Sequence, residues 1–327
     1  MRRLLALLVV LGLLAGGGAL AWWQAKASYT APGPLAEPLA FVVPRGGAMA
    51  IAEALAERGI IRDSRIFLAA FFLTREAGAL RAAEFLFPAR ASMAEVLDIL
   101  RQGRPVQRRL TIPEGLTIRQ ISQLLDRTEG LVGEMPVVAE GAILPETYAF
   151  QFGDTRASVV RRATQAMDQA LAEIWASRTP GLPLATPREM LILASIVERE
   201  TGRDGERPRV AGVFINRLRR GMMLQSDPTT AYAAADGGVL DRPLTRADLE
   251  RDHPFNTYRI RGLPPGPIAS PGREALRAVA RPEPHDFLFF VADGTGGHAF
   301  ARTLEEHNRF VARWREIERT RAPAPAR

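Results

Sequence analysis

Cysteine is absent from the 327-residue chain. That excludes disulfide frameworks, Cys-ligated zinc and thiol catalysis, and it fits a compartment where stray thiols would oxidise. Lysine is almost absent too: Lys26, beside the N-terminal apolar run, is the only one. The chain therefore has no P-loop, no Schiff-base lysine and no Ser-x-x-Lys dyad. Four histidines occur, at 253, 285, 298 and 307, and none belongs to an H-E-x-x-H pair. No metal and no cofactor are expected on that ground. Aromatic residues are 7% of the chain and do not interleave with the scattered basic residues, which argues against a nucleic-acid surface. The net charge of +7, carried almost wholly by arginine, suits an anionic polymer or an anionic membrane surface.

Among what is present, Leu4 to Trp23 is a run without a charge, preceded by Arg2 and Arg3. At about 1.5 Å per residue it spans a hydrocarbon core of roughly 30 Å. The flanking arginines keep the N-terminus cytoplasmic, and Trp22 and Trp23 fall where an interfacial aromatic belt sits. Residues 1–27 are therefore expected to be a cytoplasmic tip and single transmembrane anchor in the inner (cytoplasmic) membrane, with the remainder on the periplasmic, extracytoplasmic side. A signal peptide cut after Ala19-Leu20-Ala21 is the competing reading; both export the rest of the chain. Three prolines in residues 28–40 predict an extended linker.

From residue 41 to about 130 the pattern is of small strand–turn–helix units. Phe41 to Val43 precede Pro44 and Gly46-Gly47, and apolar residues then recur at helical spacing through Ile51 and Leu55. Leu110 to Ile112, the Pro113-Glu114-Gly115 turn and the Ile118, Ile121, Leu125 face repeat the scheme, and "FLFPARASMAEVLDILRQG" is a shorter copy. The fold class is α+β. A helix is expected over about 156–177. Another begins at Thr186-Pro187-Arg188-Glu189, a capping box with proline in the first turn, and ends at Gly202. A third covers about 206–220. Residues 286–293 read as a buried strand, "GTGG" as a turn, and Thr303 opens a last helix to about 319, followed by a disordered tail, 320–327.

The helix after Thr186 carries "LILASIVERETG", apolar nearly all round and ending in Glu198, Arg199 and Glu200. Glu198 shares a stripe with Leu191 and Ala194. A carboxyl there is desolvated and lies at the negative end of the helix dipole; both conditions favour the neutral acid, as general-acid chemistry requires. The alternative is an ion pair with Arg199, Arg203 or Arg207 that ties off the helix end. Downstream, Gln225, Ser226, Asp227 and Thr229 form a polar loop, and Asn256, Thr257 and Tyr258 precede the stiff Gly262-Leu263-Pro264-Pro265-Gly266-Pro267 turn. Amides, hydroxyls and an aromatic face are what sugar hydroxyls and acetamido groups bind.

Four segments in order, "ASIVERET", "RPRVAGVFINRLRRGMMLQSDPTTAYA", "FNTYRIRGLPPGPIASPG" and "FLFFVADGTGGHAFARTLEEHN", with "EGAILPETYAF" as a looser fifth, resemble the endolytic murein transglycosylases, the MltG or YceG-like family. The resemblance implies a LysM-like α+β module over 41–105 and a larger mixed α+β catalytic domain over 106–319. It implies Glu198 as the catalytic acid, with Asn216, Gln225, Ser226, Asp227, Asn256, Thr257 and Tyr258 as substrate-binding residues. The implied reaction is cleavage of the N-acetylmuramic acid to N-acetylglucosamine bond of nascent peptidoglycan strands with a 1,6-anhydro end as product. A cut near the membrane would end strand growth, with peptidoglycan synthases as partners. Asp227 or Glu200 as a second carboxylate would make a hydrolase instead. A membrane-tethered wall-binding scaffold is the non-enzymatic alternative. His298, Thr303, His307 and Asn308 are read as caps and turns.

Overall fold

The structure is a computed structural model that describes residues 15–18, 20 and 22–320. Most of the apolar run expected to span a membrane lies outside the described residues. Among the described residues no helix is long and apolar enough to cross one. The chain divides into two units, residues 1–108 with 149–154, and residues 109–148 with 155–327.

In the first unit, β1 (Leu39–Val42) is antiparallel to β2 (Glu84–Phe87), with Leu39 opposite Phe87 and Phe41 opposite Phe85. Helices α1 (Ala48–Glu57) and α2 (Ser64–Leu73) lie between them in sequence, and α3 (Met93–Gln102) follows. Leu55, Phe67, Phe85, Phe87 and Leu97 are buried together. Asp63 caps α2 by accepting from Arg65 and Ile66 amides. Ser92 and Glu95 form a reciprocal capping box on α3. Residues 28–40 differ from the extended linker expected. Helix continues through Thr30, and Tyr29 and Leu35 pack on the core. The Gly33 amide donates to Arg90 O at 2.9 Å, and a Cβ at Gly33 would stand 2.0 Å from Ala91 O. Only glycine allows that approach.

The unit boundary passes through a ribbon of β3 (Arg108–Thr111) and β4 (Thr147–Phe150). In the second unit α4 (Ile118–Arg127) and α5 (Arg156–Ala176) precede α6 (Pro187–Glu200). Every residue of α6 from Met190 to Val197 is buried, so its neighbours surround it: α5, α7 (Arg207–Arg219), α8 (Asp227–Ala234) and, most extensively, α10 (Arg273–Ala280). The short α9 (Arg246–Glu250) packs on α8. A hairpin of β5 (Phe289–Ala292) and β6 (His298–Ala301) turns at Asp293, and α11 (Leu304–Thr320) packs on it.

The ends of α6 differ from expectation in two details. Thr186 accepts from Glu189 N at 3.2 Å, but the Glu189 carboxylate accepts from Ala185 N at 2.6 Å, one residue outside the box. Gly202 is not among the left-handed glycines; α6 stops because Thr201 turns extended, φ −137 and ψ 132. α8, α9, α10 and β6 were not legible as periodic segments, since each is short and held by contacts distant in sequence.

Leu193 is fully buried in the larger core. Leu193→Ala should lower unfolding stability by about 2–5 kcal/mol, read by urea denaturation of the purified chain.

Candidate functional site

Glu198 and Glu200 are two residues apart at the end of one helix, so their side chains leave it roughly 200° apart. They enter different environments. The Glu198 side chain is 4% exposed and 2.9 Å from Arg207 Nη2 through Oε1. Its Oε2 accepts from the Gly272 amide at 2.8 Å. Gly272 is the N-cap of α10, where the helix dipole and unpaired amides favour a negative charge. Arg207 also reaches Glu114 at 3.5 Å. Arg199 donates to Gly115 O at 3.2 Å, tying the Pro113–Gly115 turn to the same helix end. Of the two readings the sequence left for Glu198, the arginine partner is the one present, and that partner is Arg207. Both carboxylate oxygens are occupied by internal donors.

Glu200 points the other way, into a cavity of about 520 Å³. Ser226 Oγ donates to its Oε1. Burial pushes its carboxyl up to about 7 from an ordinary value of 4.5; the Ser226 bond and Arg217 oppose the rise, and Asp227 adds to it. A carboxyl poised there is half-protonated near neutral pH, which suits an acid that must give a proton and take one back.

The loop before α8 is fixed from beneath. Gln225 has left-handed backbone, φ 49, and its amide donates to Thr257 O at 3.1 Å. Ser226 N donates to Thr257 Oγ1 at 2.9 Å, and Thr229 Oγ1 lies 2.8 Å from the same hydroxyl. This aims the Ser226 hydroxyl at Glu200. Asp227 Oδ1 accepts from Tyr258 OH at 2.6 Å; burial, then that bond, pushes the Tyr258 phenol upward.

Of the expected substrate-binding residues, Gln225, Asp227 and Tyr258 line the cavity with Glu200. Ser226 lies behind it, 1% exposed. Asn256 and Thr257 are fully buried and serve the loop itself. Asn256 Oδ1 accepts from Thr230 Oγ1 at 2.9 Å, and its Nδ2 donates to Arg251 O at 2.8 Å and Leu249 O at 3.0 Å. Asn216 is turned away to latch the chain before β5, donating to His285 O at 2.8 Å and Phe287 O at 3.1 Å. These three have internal partners where sequence reasoning put substrate.

The opposite wall comes from residues read as structural, or not singled out: Phe289, His307 and Trp314. His307 stacks on Phe289 with centroids 5.3 Å apart, and burial, then Arg217, pushes its imidazole down. His298 is engaged, 2.8 Å from Glu206. Phe289 and His307 lie in one of the segments that carry the family resemblance, but nothing local in the sequence places them opposite Glu200, because β5, β6 and α11 meet it only through the fold.

A buried, largely apolar helix thus delivers one poised carboxyl to a polar and aromatic cleft within an α+β fold. The chain belongs to the YceG-like family, whose sequence model matches residues 41–313. It is 38% identical over 170 residues to a protein of Bacillus subtilis named endolytic murein transglycosylase, covering 52% of this chain and 46% of that protein. A Streptococcus pneumoniae protein of the same name is 31% identical over 271 residues, 68% of this chain and 48% of the relative. The chain thus spans about half the length of the curated relatives it matches. A crystal structure of a YceG-like protein from Listeria monocytogenes superposes with a TM-score of 0.55 at 27% identity, over 84% of this chain and 98% of that one.

Two outcomes separate the acids. Glu198→Ala removes a buried partner of Arg207 and the cap of α10, and should cost roughly 3 kcal/mol in denaturant unfolding. For Glu200 the folded carboxyl keeps its proton to about 7, while the unfolded one loses it near 4.5. Its contribution to stability is therefore present below 4.5 and falls as pH rises to 7. Glu200→Gln lacks this loss, so its stability relative to the parent should improve across that window by up to about 3 kcal/mol, measured by urea unfolding at pH 4.5 and 7.5.

Proposed function

We propose that the protein cleaves the glycan strands of peptidoglycan as an endolytic lytic transglycosylase, with Glu200 rather than Glu198 as its acid. The observation that carries this is the poised Glu200 carboxyl in the cavity with Gln225, Asp227 and Tyr258; the names of the relatives support the substrate. Protonated Glu200 gives its proton to the glycosidic oxygen linking N-acetylmuramic acid to N-acetylglucosamine, and the C1–O bond breaks. The resulting carboxylate takes the proton of the muramic acid 6-hydroxyl, whose oxygen bonds to C1. The product is a 1,6-anhydro end, and no water is consumed. Ser226 Oγ holds the Glu200 carboxyl in position, and the Tyr258–Asp227 pair presents a polar edge to the sugar.

The same reading places the enzyme on the inner membrane through residues 1–27, supported by the charge-free run behind Arg2 and Arg3. Cuts made there would end growth of nascent strands beside the peptidoglycan synthases. It also takes residues 41–105 as a LysM-like module, supported by the strand–helix–helix–strand order of β1, α1, α2 and β2.

Digestion of purified peptidoglycan by the full chain in detergent, read by mass spectrometry, is the test. Anhydro-ended fragments are expected, absent with a folded Glu200→Gln chain. Products one water heavier would mean a two-carboxylate hydrolase, and Asp227→Asn would then abolish activity. For the transglycosylase, kcat/KM should fall as pH rises through about 7, where Glu200 loses its proton.

A further inference from the structure

Helix α2 carries a second apolar face that the core of its unit does not use. Phe67 is fully buried and Phe71 packs on the core. Ile66, Ala69, Phe72 and Leu73 are exposed instead, Phe72 by 61% and Leu73 by 75%. At about 100° per residue these four fall within one arc of roughly 120°. Single exposed apolar side chains are ordinary; a contiguous arc of them marks a contact surface. Part of the arc has a neighbour. Ile66, Ala69 and Leu73 line a groove of about 270 Å³ whose other side is Trp22, Ala25 and Tyr29. That side belongs to the helix that continues through Thr30. Trp22 is exposed, and Tyr29 packs on the core of the unit, which ties this helix to it.

The charge-free run ends at Trp23, and the anchor reading puts Trp22 and Trp23 at the level of the lipid headgroups. From Trp22 to Tyr29 a helix rises only about 10 Å. The headgroup layer is roughly 5–8 Å deep on each side of the hydrocarbon. Side chains that share a groove with Trp22 and Ala25 therefore stand at that layer. The charges nearby suit it. Arg62 and Arg65 flank the start of α2, Arg75 follows its end, and Lys26 lines the groove. The acids between Arg62 and Glu76 are Asp63, bound as the cap of α2, and Glu76 itself. Long basic side chains beside an apolar helix face are the pattern of a surface lying in the interface of an anionic bilayer. We propose that the Ile66, Ala69, Phe72 and Leu73 arc of α2 is seated in the headgroup region of an anionic phospholipid bilayer, beside the point where the anchor leaves it. The inference rests on the anchor reading given above and adds a second, peripheral contact to it. This contact holds the first unit at the membrane surface, where a free tether would let it swing away.

The chain has no cysteine, so a single one can be introduced and labelled. The full chain carrying Leu73→Cys, tagged with an environment-sensitive fluorophore, is reconstituted in vesicles of phosphatidylethanolamine and phosphatidylglycerol. Leu13→Cys, inside the charge-free run, reports the anchor in the same way. Both labels should lose most of their emission to doxyl groups on the lipid chains and little to iodide in the water. Adding Phe72→Glu should restore emission at position 73, open it to iodide and leave position 13 unchanged. Exchanging phosphatidylglycerol for phosphatidylcholine should weaken lipid quenching at position 73 alone. If Leu73→Cys does not fold, Ala69→Cys, exposed on the same arc, takes its place. Lipid quenching at position 13 with position 73 open to iodide overturns the α2 contact and leaves the anchor standing. Position 73 shielded from both quenchers means that protein, such as a second copy of the chain, covers the arc, and this also overturns the lipid contact. Lipid quenching at neither position overturns the anchor reading and this one together.

Discussion

A helix buried on every side from Met190 to Val197 must return its chain to the surface within a few residues, and the Glu198–Arg207 ion pair is how α6 does so. The pair is nearly dry, with side chains 4% and 7% exposed. Such a pair is weak evidence of stability in itself. Its use here is positional. Glu198 also accepts from the amide of Gly272, the N-cap of α10, the helix that α6 packs against most, so one carboxylate joins α6, α7 and α10. With Glu198 fixed, helical geometry leaves Glu200 no choice of direction.

What Glu200 meets is set by a second, hydroxyl-based tie. Thr257 and Thr229 hold the backbone at Ser226, and Ser226 holds the carboxyl. The contrast between the two acids is one of company. Glu198 has a guanidinium in contact. Glu200 has a hydroxyl in contact, Arg217 acting on it more weakly, and Asp227 opposing. Desolvation then dominates for Glu200, which is how a carboxyl becomes a useful acid near neutral pH. Arg217 spends its shortest bonds on carbonyls of the loop before Gln225 and of the strand region after Phe287, so one buried cation closes both walls of the cavity and keeps an edge toward its interior.

Much of the fold could be read locally. Proline at the start of α6, the threonine cap and the apolar run fix that helix wherever it sits, and the same holds for α5 and for the Ser92 and Thr117 capping boxes. Short elements were not legible. α8, eight residues long, has no side-chain cap and is held by the Thr257 and Asn256 loop packed on it. The amide and hydroxyl residues of that loop are legible in the sequence as a polar group, but their tasks are not. Asn256 is consumed by three carbonyls and a hydroxyl, while Tyr258, two residues on, reaches the cavity.

The sequence by itself determined that two carboxylates would stand at the end of a buried helix near a polar loop, because helix periodicity and capping act over a few residues. Which of the two would be paired and which poised was decided only by the tertiary structure. Arg207, Gly272, Ser226, Arg217 and Asp227 reach those carboxyls across turns and helix junctions, and a carboxyl's protonation is governed by the charges and donors around it in space.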